Sequence, residues 1–259
     1  MLSDESRCSR FDTGVTLFKA KQIEEAAAYF EESLSLDRNL TPALSSKIHY
    51  YIAECHFAKR DYEKAMWHYN ISIDLNPDDF HTYFDRGYLR QKLRMTHASI
   101  DDFNRSIELN PEFASTYHNR GVAYKQLGNI EKAIADFRKA ISISGTHVRT
   151  KKSLLDLLLP KATLFSETGH YDKALVLLNE CVDLAPVPVQ VFIERATVNF
   201  ALKNYADAID DYTLALDERP HSNELLKARA EAYQKAGESR LAMADYMAVL
   251  ESQGNININ

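Results

Sequence analysis

The chain has 259 residues, 45% of them hydrophobic, enough to bury a large core, and its formal charge of −6 provides no clustered basic surface for phosphate. Three cysteines, Cys8, Cys55 and Cys181, are too few and too scattered for a disulfide framework or a zinc site, so no cofactor or metal is expected. No apolar run approaches membrane-spanning length and Met1 to Ser6 lacks the regions of a signal peptide, so the expectation is a cytoplasmic protein with neither nucleic acid nor membrane as partner.

Along the chain a frame returns every 34 residues, most visibly where Asp61-Tyr-Glu-Lys-Ala65 recurs as Asn129-Ile-Glu-Lys-Ala133. The first block, 7 to 40, carries Gly14, Ala26, Phe30 and Ser33 at successive intervals of 12, 4 and 3. The second, 46 to 79, repeats them as Ala53, Ala65, Tyr69 and Ser72 and closes on Pro77. The third, 80 to 113, has Gly87, Ser99, Phe103, Ser106 and Pro111; the fourth, 114 to 147, has Gly121, Ala133, Phe137 and Ala140. Ala162, Ala174, Leu178, Cys181 and Pro186 mark the fifth, 155 to 188, and Ala196, Ala208, Tyr212, Ala215 and Pro220 the sixth, 189 to 222. The seventh, 223 to 256, shows Ala230, Ala242, Tyr246 and Val249. Arg38, Gly145 and Gly254 stand in the proline column of the remaining blocks. Each block reads as a helical hairpin, with small residues where the axes cross and a bulky residue filling the gap to the next hairpin. Proline ends the second helix because it has no amide hydrogen to continue it. Glycine (8) and proline (7) are few and sit at turns, so residues 1–259 are expected to form one elongated domain.

Two interruptions break the frame. Thr41 to Ser45 precede the second block, and Thr41-Pro42 reads as an N-cap followed by proline in the first turn, which lengthens the next helix at its start. Val148 to Leu154 precede the fifth and add seven residues, about two turns, which keeps the same face inward. An overlong helix from about Thr146 to Glu167 is therefore expected, kinked before Pro160. The basic knot Arg149, Lys151 and Lys152 reads as a solvated helix end.

These columns resemble the tetratricopeptide repeat, in seven consecutive blocks covering nearly the whole chain. The family's early tryptophan is missing, and the column of Tyr83 and Tyr117 is aromatic only in the middle copies. The resemblance implies an all-α, right-handed superhelical solenoid of tandem helix-turn-helix repeats, whose first helices line a concave groove for extended or helical partner segments.

The residues that the core columns leave over test that implication. Phe11, Asp12 and Val15 in the first block, Lys47, Tyr50, Tyr51 and Glu54 in the second, and His81, Phe84, Asp85 and Tyr88 in the third fall at helical spacing. Ser115, His118, Asn119 and Val122 continue the stripe. They describe an aromatic groove edged with carboxylates, suited to a protein or peptide segment with apolar and basic residues. The same rings also fit a purely structural role as padding between hairpins. Behind them, Leu159, Thr163, Ile193, Glu194, Thr197, Lys227 and Glu231 make a leaner, mixed face.

Narrower family functions fit poorly. The carboxylate clamp of chaperone-binding tetratricopeptide proteins needs lysines, asparagines and an arginine, whereas the corresponding positions hold Tyr50, Glu54, Asp85, Ser115 and Asn119, or one block on Phe84, Tyr88, Asn119, Asp156 and Pro160. The asparagine ladder of the protein-modifying sugar transferase is replaced by Asp12, Tyr51, Asp85, Asn119, Pro160, Glu194 and Ala228. No phosphate loop, nucleophile elbow or paired-histidine motif appears, so an enzyme is not expected. His81, Asp85 and His118 are the nearest approach to a metal triad, at a spacing that polar groove residues reach without any metal. Trp67 falls in an outward column and is expected half-exposed over its own helix. The last helix carries Leu241, Met243, Tyr246, Met247 and Leu250, more apolar surface than one packed side consumes, followed by the polar tail Gln253 to Asn259. Self-association there, or continuation into further sequence, is expected. The reading is a non-catalytic interaction scaffold or adaptor; the alternatives are a structural subunit held by its ends and convex face, or an export or folding chaperone.

Overall fold

The computed structural model describes residues 4–36, 40–145, 148–184 and 186–253, with side chains from residue 10 onward. Arg38, His147, Gly254, the tail that follows it and the side chain of Cys8 lie outside the described residues. Among those described there are fourteen α-helices and no strand. They gather into two compact units, residues 1–146 and 147–259, and the boundary falls at the second interruption of the frame.

The first unit holds α1 (Asp4–Lys19) with α2 (Ile23–Leu36), α3 (Pro42–Ala58) with α4 (Tyr62–Leu75), α5 (Phe80–Lys92) with α6 (Thr96–Leu109), and α7 (Ala114–Gln126) with α8 (Ile130–Ile143). The second holds α9 (Val148–Glu167) with α10 (Tyr171–Asp183), α11 (Val189–Ala201) with α12 (Tyr205–Glu218), and α13 (Asn223–Ala236) with α14 (Ser239–Ser252). Within each unit every helix packs chiefly on its hairpin partner, and the second helix of one hairpin packs on the first of the next.

The core columns are buried as their spacing requires. Ala26, Ala65, Ser99, Ala133, Ala174 and Ala208 are fully buried, and Phe30, Tyr69, Phe103, Phe137 and Leu178 fill the space beside them. A Cβ on Gly14, Gly87 or Gly121 would sit 2.6, 2.8 or 2.7 Å from the ring of Phe30, Phe103 or Phe137, which is why glycine stands opposite phenylalanine. Where the small residue is Ala53 or Ala196, the opposing ring is Tyr69 or Tyr212, whose hydroxyl reaches Glu54 or Thr197.

Helix ends follow local chemistry. Thr41 accepts from the Leu44 amide at 3.3 Å with Pro42 in the first turn, so α3 is lengthened at its start as expected. Asp61, Asp79 and Ser222 cap α4, α5 and α13 in the same manner. The overlong helix appears as α9, which remains helical through Pro160. All seven hairpin turns place one residue at positive φ: Gly128, Gly169 and Gly237 where the sequence supplies glycine, and Lys21, Arg60, Arg94 and Lys203 where it does not. Only glycine adopts that conformation without a steric cost.

A second register of contacts ties the hairpins together and was not anticipated. Arg86, Arg120, Arg195 and Arg229 each make two parallel bonds to an aspartate 16 residues on, Asp102, Asp136, Asp211 and Asp245, at 2.6 to 3.0 Å. The remaining guanidinium nitrogen reaches back to the preceding hairpin, to Asn70, Asn104, Asn179 and Thr213. Each aspartate is buried, so the bidentate pairing offsets a desolvation cost that neither charge bears alone. In the other three blocks both positions change together, to Thr13 with Tyr29, Ile52 with His68 and Lys161 with Leu177.

Candidate functional site

The stripe on the first helices of the first unit separates into two sets. Phe11 and Tyr51 turn into the core between α1, α2 and α3, where the Tyr51 ring stacks on Phe30 with centroids 5.2 Å apart and meets Phe11 edge-on at 5.7 Å. These contacts are of the padding kind that their spacing also allowed, and both rings remain partly exposed. Lys47 and His81 are exposed, while Tyr50, Glu54, Phe84, Asp85 and Tyr88 are half-buried, with edges open on α3 and α5. Phe84 rests on Phe113 at 5.0 Å, and Tyr88 lies between Phe57 and the ammonium of Lys92, which stands 4.9 Å from its ring. The groove surface thins on α7. His118 is buried against Phe137, and the Asn119 carbonyl accepts a bond from Gln91 at 3.2 Å.

At the centre of the set, two tyrosines and two carboxyls form two hydrogen-bonded pairs. The Tyr50 hydroxyl donates to Asp85 Oδ2 at 2.9 Å, and the Tyr69 hydroxyl donates to Glu54 Oε1. Burial raises the Asp85 pKa to about 8, and the charge of Glu54 pushes the same way against the bond from Tyr50. Burial also raises Glu54, opposed by the bond from Tyr69. Both tyrosines are pushed well above the ordinary phenol range by burial and by these carboxyls, so they remain donors. Burial and the charge of Glu54 both favour the protonated form of the Asp85 carboxyl. The groove is therefore less acidic than its sequence suggests. Tyr69 entered the sequence reading only as a core residue; its tyrosine-for-phenylalanine exchange was the available sign that a buried partner stood nearby.

His81, Asp85 and His118, the nearest approach to a metal triad in the sequence, are not brought together as one. His81 lies exposed over Phe80, His118 is buried, and among the described residues no group of three or more His, Cys, Asp or Glu is placed to hold an ion. Trp67 is 58% exposed and lies edge-on to His68, in keeping with its outward column. His68 meets His49 nitrogen to nitrogen at 2.9 Å and stacks on His56; burial, then its two neighbours, push it down to about 4. Cys55 and Cys181 are free, buried thiols, each pushed by burial up to about 12. No described helix is long and apolar enough to cross a membrane.

Tetratricopeptide repeat family models match residues 10–80 together with 159–223, more than half of the chain, and further models of the same description match 52–114 and 114–147. No curated protein matches the sequence. Solved structures resemble the fold at low identity. A tetratricopeptide repeat protein from Parabacteroides merdae is 19% identical with a TM-score of 0.54, covering 95% of this chain and 93% of its own. PilF of Pseudomonas aeruginosa is 15% identical at 0.56, covering 88% and 98%. MamA of Desulfovibrio magneticus is 18% identical at 0.55, covering 70% and 98%. At these identities the likeness is one of fold.

Proposed function

The chain belongs to the tetratricopeptide repeat family, whose repeats serve as protein interaction scaffolds, and from that premise we propose that it is a non-catalytic adaptor binding a partner segment on α3 and α5. The observation that supports this reading is that exposed Lys47 and His81 and partly exposed Phe84 and Tyr88 stand on the first helices of successive hairpins beside the half-buried carboxyls of Glu54 and Asp85. Open aromatic edges supply contact area at low entropic cost, and the half-buried Glu54 and Asp85 favour a partner with a lysine or arginine between apolar anchors. Such a cation takes the place of the Asp85 proton. A cytoplasmic location belongs to this reading, supported by the unpaired thiols of Cys55 and Cys181. Affinity capture with the wild-type chain beside a folded Phe84→Ala, Tyr88→Ala variant tests it: proteins retained by the first and lost by the second support the groove, and identical recoveries refute it.

One observation favours a second reading, a subunit held through its last hairpin. Met243 is 61% exposed on α14, with Leu241, Met247 and Leu250 also open. Light scattering over a wide concentration range tests self-association through that face, which a strict monomer at high concentration excludes, and tight co-purification with a fixed subunit tests the assembly itself.

A further inference from the structure

Beyond the groove, a half-open cleft of about 290 Å³ lies among α10, α11 and α12 of the second unit. Its lining includes Arg195 with its partner Asp211, the buried Asn199, the exposed Asp207 and Asp210, and the apolar Leu175 and Leu214. That volume is at the foot of the range for ligand pockets and suits one side chain rather than a whole small molecule.

The repeat frame shows why the cleft opens here. Asn199 occupies the column that holds Arg90, Tyr124 and Tyr233 in the other three blocks with an arginine–aspartate pair. Tyr124 lies 5.8 Å from the Arg120 guanidinium, Tyr233 lies 5.7 Å from that of Arg229, and Arg90 reaches Asp102 at 2.9 Å. Asn199 is too short to cover its arginine and instead accepts a bond from Asn204 at 3.4 Å. Arg195 keeps its paired bonds to Asp211, but among the described residues no ring lies over its guanidinium. The rim differs as well. Lys132, which closes over Tyr124 at 5.3 Å, has Asp207 as its counterpart, and Ala135 has Asp210; both aspartates are exposed.

We propose that this cleft is a docking pocket for an aromatic side chain of a partner segment that carries a basic group beside the ring. The ring occupies the place a tyrosine fills in the neighbouring hairpins and stacks on Arg195, and the cation meets Asp207 and Asp210 at the rim. A bare cation has no ring to lay over Arg195, which is already paired with Asp211, and an anion is repelled by the rim. Ring and charge together satisfy both surfaces.

The test is an amide NMR titration of the whole chain with tyramine, which carries a phenol ring and an ammonium on one short chain. Shifts at Asn199, Asp207, Asp210 and the Arg195 Nε are expected with the wild type. Asn199→Tyr supplies the ring from within and should abolish them. Asp207→Lys with Asp210→Ala restores the rim of the α7–α8 hairpin on exposed positions and should weaken binding roughly five- to tenfold; this variant decides the matter if Asn199→Tyr fails to fold. Cadaverine, a diamine without a ring, should leave the cleft resonances in place. The proposal is overturned if millimolar tyramine moves none of these resonances, if a folded Asn199→Tyr still responds, if the rim variant binds as the wild type does, or if cadaverine gives the same shifts. The readout is confined to resonances of the cleft, and the variants leave the groove on α3 and α5 unchanged, so either proposal can fail without the other.

Discussion

Replacing Arg120 by methionine removes the two bonds to Asp136, both 2.8 Å, and the bond to Asn104 on the preceding hairpin. Asp136 is 6% exposed, so its carboxylate remains desolvated with neither of those donors, a loss of about 3–5 kcal/mol, to which the Asn104 bond adds about 1 kcal/mol. Asp136→Leu alone should cost less, about 2–3 kcal/mol, because the long Arg120 side chain can carry its charge toward water. The double replacement should lie within about 1 kcal/mol of the wild type, since a buried ion pair exchanged for apolar groups of similar volume is close to neutral. In the chain itself the two positions also change together, at Ile52 with His68 and at Lys161 with Leu177. Thermal unfolding followed by circular dichroism reads the difference as a fall of about 10 °C for Arg120→Met that Asp136→Leu largely restores. A single variant that melts with the wild type, or a double that melts at the sum of the two losses, refutes the view that these pairs are structural units exchanged whole.

Gly121→Ala puts a methyl 2.7 Å from Phe137 and 3.3 Å from the Ala133 carbonyl, and the overpacking should outweigh the helix-propensity gain by about 1 kcal/mol; Phe137→Leu, the arrangement of Ala162 with Leu178, should restore the melting temperature. Arg94→Gly relieves a left-handed residue at a turn and should leave urea stability unchanged or raise it by up to about 1 kcal/mol, whereas Arg94→Val at the same φ of 63° should lower it. Asp85 has a folded pKa of about 8 and an unfolded one in the ordinary carboxylate range, so the native state holds the extra proton and stability declines as pH rises between those values. Asp85→Asn should flatten that decline in urea titrations, giving no gain near pH 4 and a gain of a few kcal/mol at pH 8.

The parts of this architecture that repeat in phase were readable from the sequence. Ala65, Tyr69 and Ser72 recur with their counterparts at one spacing, and a column of small or bulky residues translates directly into which face is buried. The arginine–aspartate pairs were equally periodic but escaped notice because charged residues are assigned to solvent by default, and only the joint changes, such as Ile52 with His68, mark them as one unit. Tyr50 and Tyr51 show where sequence reading stops. Neighbours on one helix, they diverge by about 100° around its axis, and that turn sends Tyr51 onto Phe30 and Tyr50 to Asp85. Proton occupancy in the groove was likewise hidden, since the Asp85 carboxyl is set by burial and by Glu54 on another helix. The turn residues Lys21, Arg60, Arg94 and Lys203 gave no compositional signal, because only glycine advertises a left-handed backbone.

The most direct test of the groove assignment is selection of peptides from a random library on the immobilised chain, counter-selected on the folded Phe84→Ala, Tyr88→Ala variant and followed by calorimetry. The account predicts enriched peptides with a lysine or arginine between apolar anchors, bound at least tenfold more weakly by the variant and more tightly as pH rises through 8, where the cation no longer displaces the Asp85 proton. Failure to enrich any peptide over the variant, or enrichment of acidic sequences indifferent to pH, would contradict it.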